Sequence, residues 1–147
     1  MLAQKCAILI VDDDPGIRFL LRKFLSGEGY KFYEAENGRA GLKRYQCVQP
    51  DIILLDIAMP EMNGLDLVRE IRKQDQTVGI LLVSAFKSMQ SEINLGHNGA
   101  DGFLAKPFHI ADLKTKLGHL LESVCARRVI KTNSTDNQVV GACQWSM

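Results

Sequence analysis

The sequence predicts a doubly wound α/β fold, a five-stranded parallel sheet with helices on both faces. Three observations predict it. Short apolar runs such as Cys6 to Val11, Ile52 to Leu55 and Gly79 to Val83 are continuous rather than alternating, which suits strands buried on both faces. Between them lie stretches with apolar residues at three- and four-residue spacing, the mark of helices with one buried face. The two kinds of segment alternate through five units of similar length, the pattern of strands joined by crossover helices.

The elements follow in order. Cys6 to Val11 is the first strand. Asp14 is a good helix N-cap and Pro15 suits the first helical position. Ile17, Leu20, Leu21, Phe24 and Leu25 then share a helical face, and Gly27 supplies a stop. Tyr30 to Glu34 reads as a second, weaker strand, and Asn37 caps a short helix carrying Leu42 and Tyr45. Ile52 to Leu55 is the third strand. Pro60 to Gly64 is a loop with Asn63 as the next N-cap, and Leu67, Val68 and Ile71 form that helix's buried face. A fourth strand, Gly79 to Val83, ends at Ser84. Ser88 to Asn98 reads as a helix weakened by Gly96 and Asn98, and Asp101 to Ala105 as a fifth strand. Ile110, Leu113, Leu117, Leu120, Leu121 and Val124 define the last helix. Residues 1–124 are thus expected to form one domain, and the polar, aperiodic 125–147 a flexible tail or linker.

Composition narrows the function. A chain of 147 residues with 46% hydrophobic and 24% charged residues fits one globular domain with a sizeable core. A net charge of +1 argues against a nucleic-acid surface as the main business. No apolar stretch approaches the roughly 20 residues of a spanning helix, and the start lacks the apolar core of a signal peptide. Cys6, Cys47, Cys125 and Cys143 are scattered without a C-x-x-C pair, so they read as reduced thiols in a cytoplasmic protein rather than zinc ligands. The Asn133-Ser134-Thr135 sequon reads as chance.

In parallel sheets of this kind, ligands bind outside the carboxyl ends of the strands. Asp12, Asp13, Asp56, Ser84 and Lys106 all fall at or just past predicted strand ends. Asp14 is accounted for by its capping role. Clustered carboxylates stay anionic in a cleft only when a cation neutralises them. Magnesium is the natural candidate, since it takes carboxylate, phosphate and water oxygens. Lys106 adds a point charge for a phosphate oxygen and Ser84 a hydroxyl donor. The set suits phosphoryl transfer, with Asp56 as acceptor and the protein supplying position and charge. His97, His109 and His119 show no metal spacing and read as surface or cap residues.

The chain resembles the receiver domain of two-component response regulators, including chemotaxis regulators. The matching motifs are Ile8-Leu9-Ile10-Val11-Asp12-Asp13-Asp14, Ile53-Leu54-Leu55-Asp56 with Met59-Pro60 and Gly64, Val83-Ser84-Ala85, and Phe103-Leu104-Ala105-Lys106-Pro107-Phe108. The resemblance covers about residues 5 to 124. It implies a flavodoxin-like 2-1-3-4-5 strand order with five helices. It implies that Asp56 accepts the phosphoryl group. Asp13, Asp56 and the Ala58 carbonyl would bind Mg2+ directly, with Asp12 acting mainly through water. Lys106 would contact the phosphoryl group and hold Asp56 when it is free. Ser84 and Phe103 would be the switch pair, Phe103 rotating in from solvent, and the Lys106–Pro107 bond would be cis. The donor would be a sensor histidine kinase or a histidine phosphotransfer protein, and an effector would read the switched surface. That surface, the fourth helix, fifth strand and fifth helix, is also a candidate dimer face. No direct nucleic-acid or membrane contact is implied. Such a protein is not a conventional enzyme; it assists its own Mg-dependent aspartyl phosphorylation and dephosphorylation.

Ala58 is small and Phe86 bulky at positions that flank the attacking water's path in that family. An alternative is a phosphatase with an aspartyl-phosphate intermediate, as in haloacid-dehalogenase-like enzymes. Those typically carry a second aspartate where this chain has Ala58. A second alternative, a docking module with a vestigial site, conflicts with the complete acidic, serine and lysine set. A DNA-binding output domain would need about 60 more patterned residues, so the chain reads either as a stand-alone receiver or as a fragment of a longer regulator.

Overall fold

The computed structural model describes residues 6–85 and 99–134. The elements are β1 (Ala7–Val11), α1 (Pro15–Gly27), β2 (Lys31–Ala35), α2 (Gly38–Val48), β3 (Ile52–Leu55), α3 (Gly64–Arg72), β4 (Gly79–Ser84), β5 (Gly102–Ala105) and α4 (Ile110–Ser134). All strand pairs are parallel, in the order β2-β1-β3-β4-β5. Four helices lie among the described residues, against the five expected. The helix expected over Ser88 to Asn98 falls outside them.

Strand pleating explains the continuous apolar runs. Successive side chains point to opposite faces, and here each face has its own core. Leu9, Val11, Ile53, Leu55, Ile80 and Leu82 join one core with Leu67, Val68 and Ile71 of α3. Ile8, Ile10, Ile52, Leu54, Leu81 and Val83 join the other with Leu21 and Leu25 of α1 and Leu113, Leu117 and Val124 of α4.

The helix caps follow from chemistry. The Asp14 side chain accepts from the Gly16 N–H ahead of Pro15, Asn37 accepts from the Ala40 N–H, and Asn63 from the Asp66 N–H. α1 ends at Gly27, as expected, and Gly29 takes the left-handed conformation at φ 87° in the turn that follows. Leu20, expected on the buried face, is 41% exposed; Leu21 and Leu25 carry the α1 contact. Ile17 and Phe24 pack against the same core from partly buried positions.

The last helix does not end at Val124 but continues to Ser134, so the sequence boundary at residue 124 falls within it. Ion pairs, rather than an apolar face, hold the added turns. Arg127 donates to Asp101 at 2.7 Å, and Arg128 pairs with Asp51, which also accepts the Ala7 N–H at 2.8 Å. No helix among the described residues is long and apolar enough to cross a membrane.

Candidate functional site

Parallel strands deliver their carboxyl ends to one edge of the sheet. Asp12 follows β1 and Asp56 follows β3, and the two strands are in register with Val11 beside Leu55. The Asp56 N–H donates to the Val11 carbonyl at 3.0 Å, and the Asp12 N–H to the Ala35 carbonyl at 3.2 Å. The acidic residues are therefore extensions of the hydrogen-bonded sheet. Asp12 and Asp56 are buried and Asp13 is exposed. Carboxylate oxygens of Asp12, Asp13 and Asp56 lie within 4.8 Å of one another.

Lys106 arrives from β5, where its N–H donates to the Ser84 carbonyl at 2.8 Å. Its Nζ stands 2.9 Å from Asp12 Oδ2 and 3.6 Å from Asp56 Oδ2. Lys106 pairs with Asp56, as expected, and its shorter contact is to Asp12, so the ammonium bridges both carboxylates. The Lys106–Pro107 peptide bond is cis.

Burial pushes the Asp56 carboxyl up, and the charge of Asp12 adds to the shift. Lys106 and a backbone hydrogen bond from Ala58 oppose it, while Asp13 raises it further. At Asp56, burial and the neighbouring carboxylates thus outweigh the one ammonium. Three oxygen donors from carboxylates, one of them exposed, form a donor set that fits a hard divalent cation with retained waters.

Ser84 is fully buried at the end of β4. Phe103 is 4% exposed and belongs to the core that includes Leu82 and Ala100. The expectation that its ring starts in solvent is therefore corrected. A phenyl ring has no hydroxyl to keep in water, so burial is favoured outright. Ala58 is exposed beside Asp56, and Phe86 lies outside the described residues.

Gly64 brings α3 against the site. A Cβ there would stand 2.3 Å from the Asp56 carbonyl oxygen and 2.8 Å from Ile57 Cα. Only glycine allows this approach, which the Gly64 N–H to Ile57 carbonyl bond closes at 2.9 Å. Sequence reasoning missed Arg18. Its guanidinium donates to the Asp12 backbone carbonyl at 2.7 Å and pairs with Glu34 at 3.4 Å. Its only sequence signal is a basic residue in the first turns of α1.

A family model described as the response regulator receiver domain matches residues 8–118. The chemotaxis protein CheY of Thermotoga maritima is 40% identical over 102 residues, spanning 69% of this chain and 85% of that protein. A probable transcriptional regulatory protein of Picosynechococcus is 40% identical over 128 residues, 82% of this chain and 51% of that one. The KDP operon regulator KdpE of Escherichia coli is 35% identical over 88% of this chain and 55% of its own. The chain spans about half the length of these two transcriptional regulators. Among solved structures, the response regulator TrrA of Thermotoga maritima, in complex with Mg2+-BeF, superposes with a TM-score of 0.72 at 39% identity. That match covers 78% of this chain and 98% of TrrA. NtrX of Brucella abortus gives a TM-score of 0.80 at 27% identity over 93% of this chain and 31% of its own.

Proposed function

The chain belongs to the response regulator receiver family, and on that premise we propose that Asp56 is its phosphoryl acceptor. Receiver domains of this family take a phosphoryl group on an aspartate from histidine kinases and act on effectors. The observation that carries the assignment to Asp56 is the convergence of Asp12, Asp13 and Asp56 within 4.8 Å, with Lys106 bridging two of them.

In this reading an Asp56 carboxylate oxygen attacks the phosphorus of the donor. The donor's P–N bond, in a phosphohistidine of a kinase or phosphotransfer protein, breaks as the acyl phosphate forms. Asp13, Asp56 and the Ala58 carbonyl would hold Mg2+, with Asp12 contributing through water. A bound Mg2+ supplies positive charge against the phosphoryl oxygens and relieves the crowding of the carboxylates. Lys106 carries its ammonium to the phosphoryl oxygens while staying paired with Asp12. Ser84 donates its hydroxyl to a phosphoryl oxygen, and Phe103 answers by repacking within the core rather than by entering from solvent. The surface that includes β5 and the first turns of α4 then differs between the two states, and an effector or a second copy of the chain reads the difference. Autodephosphorylation reverses the modification through water passing Ala58.

A titration with Mg2+ tests the metal side of this reading. The wild-type chain should bind one Mg2+ weakly, and Asp13→Ala should lose that binding while keeping its thermal unfolding near the wild-type midpoint. In the metal-free protein Asp13 is exposed, and its removal takes away only a charge that opposes ionised Asp56. Unchanged Mg2+ affinity in Asp13→Ala would move the metal away from this cluster and sink the reading.

A further inference from the structure

We infer that Arg18 is a positioning residue for the acidic site, holding the peptide unit that joins Asp12 to Asp13; the inference rests on the metal-binding reading above. Every polar group of Asp12 is engaged. Its N–H donates to Ala35, its Oδ1 accepts the Asp14 N–H at 2.9 Å, and its Oδ2 accepts Lys106 at 2.9 Å. Its carbonyl oxygen accepts Arg18 at 2.7 Å. A peptide unit is planar, so fixing the Asp12 carbonyl fixes the plane that carries the Asp13 N–H and Cα. Asp13 is exposed, and an exposed carboxylate takes its placement from its backbone.

Arg18 is itself anchored. Its Nε stands 3.4 Å from Glu34 Oε1, and Glu34 Oε2 accepts Arg22 at 2.7 Å. Glu34 lies in β2 beside Ile10 of β1, so the clamp runs from the sheet through Glu34 and Arg18 to the acidic turn. One guanidinium uses separate nitrogens for the backbone oxygen and the carboxylate. A lysine ammonium offers a single point and cannot reproduce both directions.

Charge and position make opposite demands here, which gives the idea a sign test. If Arg18 acted only as a nearby cation, its removal would leave the cluster more negative and tighten Mg2+ binding. If it positions the turn, its removal weakens Mg2+ binding.

The experiment uses the full chain as wild type, Arg18→Ala, Arg18→Lys and Glu34→Gln. Mg2+ affinity is measured by calorimetry, and amide exchange at Asp14 by NMR on the metal-free protein. Arg18→Ala should weaken Mg2+ binding about five- to tenfold, the scale of one lost hydrogen bond. Asp14 exchange should speed up, exchange in β4 should stay as in wild type, and saturating Mg2+ should restore labelling by acetyl phosphate. Arg18→Lys and Glu34→Gln should shift both readouts in the same direction but less. Unchanged or tighter Mg2+ binding, with wild-type exchange at Asp14, would overturn the inference. Should Arg18→Ala not fold, Arg18→Lys decides by the same signs. If the wild type itself takes up no Mg2+, the functional reading fails, and exchange at Asp14 in the metal-free variants still decides the role of Arg18.

Discussion

At Asp56, burial and the neighbouring Asp12 charge favour the protonated carboxyl, so its folded-state pKa lies above the ordinary carboxylate range. For an acid shifted upward, the folded state loses stability as pH rises through that range and the raised pKa. Asp56→Asn removes the charged form. Metal-free Asp56→Asn should therefore melt a few degrees above wild type at neutral pH, with the gap closing below about pH 4. Thermal melts across pH check this; a variant that melts at or below wild type at pH 7 contradicts the crowding. Gly64 belongs to the same scale. Gly64→Ala forces a Cβ toward the Asp56 carbonyl oxygen and should cost about 1–3 kcal/mol, measured by denaturant unfolding. The acidic residues and Lys106 were legible in the sequence because polar side chains at the ends of apolar runs stand out. Arg18 was not, since a helix is read by its apolar spacing, and an arginine that turns back to a preceding carbonyl leaves no periodic trace. Phe103 was placed correctly on its strand, but its burial depends on neighbours that sequence spacing does not show.

Two junctions fix elements relative to the sheet. After α3, Asp75 accepts the Tyr45 hydroxyl at 2.9 Å, the Thr77 N–H and hydroxyl at 2.8 Å, and the Val78 N–H at 3.1 Å. Burial alone would push this carboxyl up, but these bonds outweigh it and hold its pKa below the ordinary value. An acid shifted downward contributes stability above its unfolded pKa and loses it as pH falls through the folded one. Asp75→Asn should then cost about 1–3 kcal/mol at neutral pH, with the difference shrinking in acid; urea melts at two pH values would show it. The second junction is the far end of α4. Arg127 to Asp101 and Arg128 to Asp51 tie it to the strands' opening residues, and Asp101 also receives Arg72 of α3 at 3.0 Å. Truncation after Val124 should lower stability by about 1–2 kcal/mol, the worth of two partly exposed pairs. An unchanged melt would mean that these turns are a loose tail. The sequence hid this extension because ion pairs hold it, and no apolar stripe continues past Val124. The strands and the first three helices were legible because pleat and helix periods differ so plainly.

Across the molecule, five parallel strands bury both faces and bring three carboxylates and a lysine to one edge. The alternation of elements disclosed the class of fold. The strand order came from the resemblance, because periodicity alone does not say which strands are neighbours. Once β1 and β3 lie side by side in register, Asp12 and Asp56 must meet, although 43 residues separate them in the chain. The central claim is that this edge passes a phosphoryl group to Asp56. The most direct measurement is to treat the chain with acetyl phosphate, reduce the acyl phosphate with borohydride, and map the modified residue by peptide mass spectrometry. Conversion is expected at Asp56 alone, dependent on Mg2+ and absent from Asp56→Asn. Modification at another residue, or at Asp56 without regard to Mg2+, would contradict it.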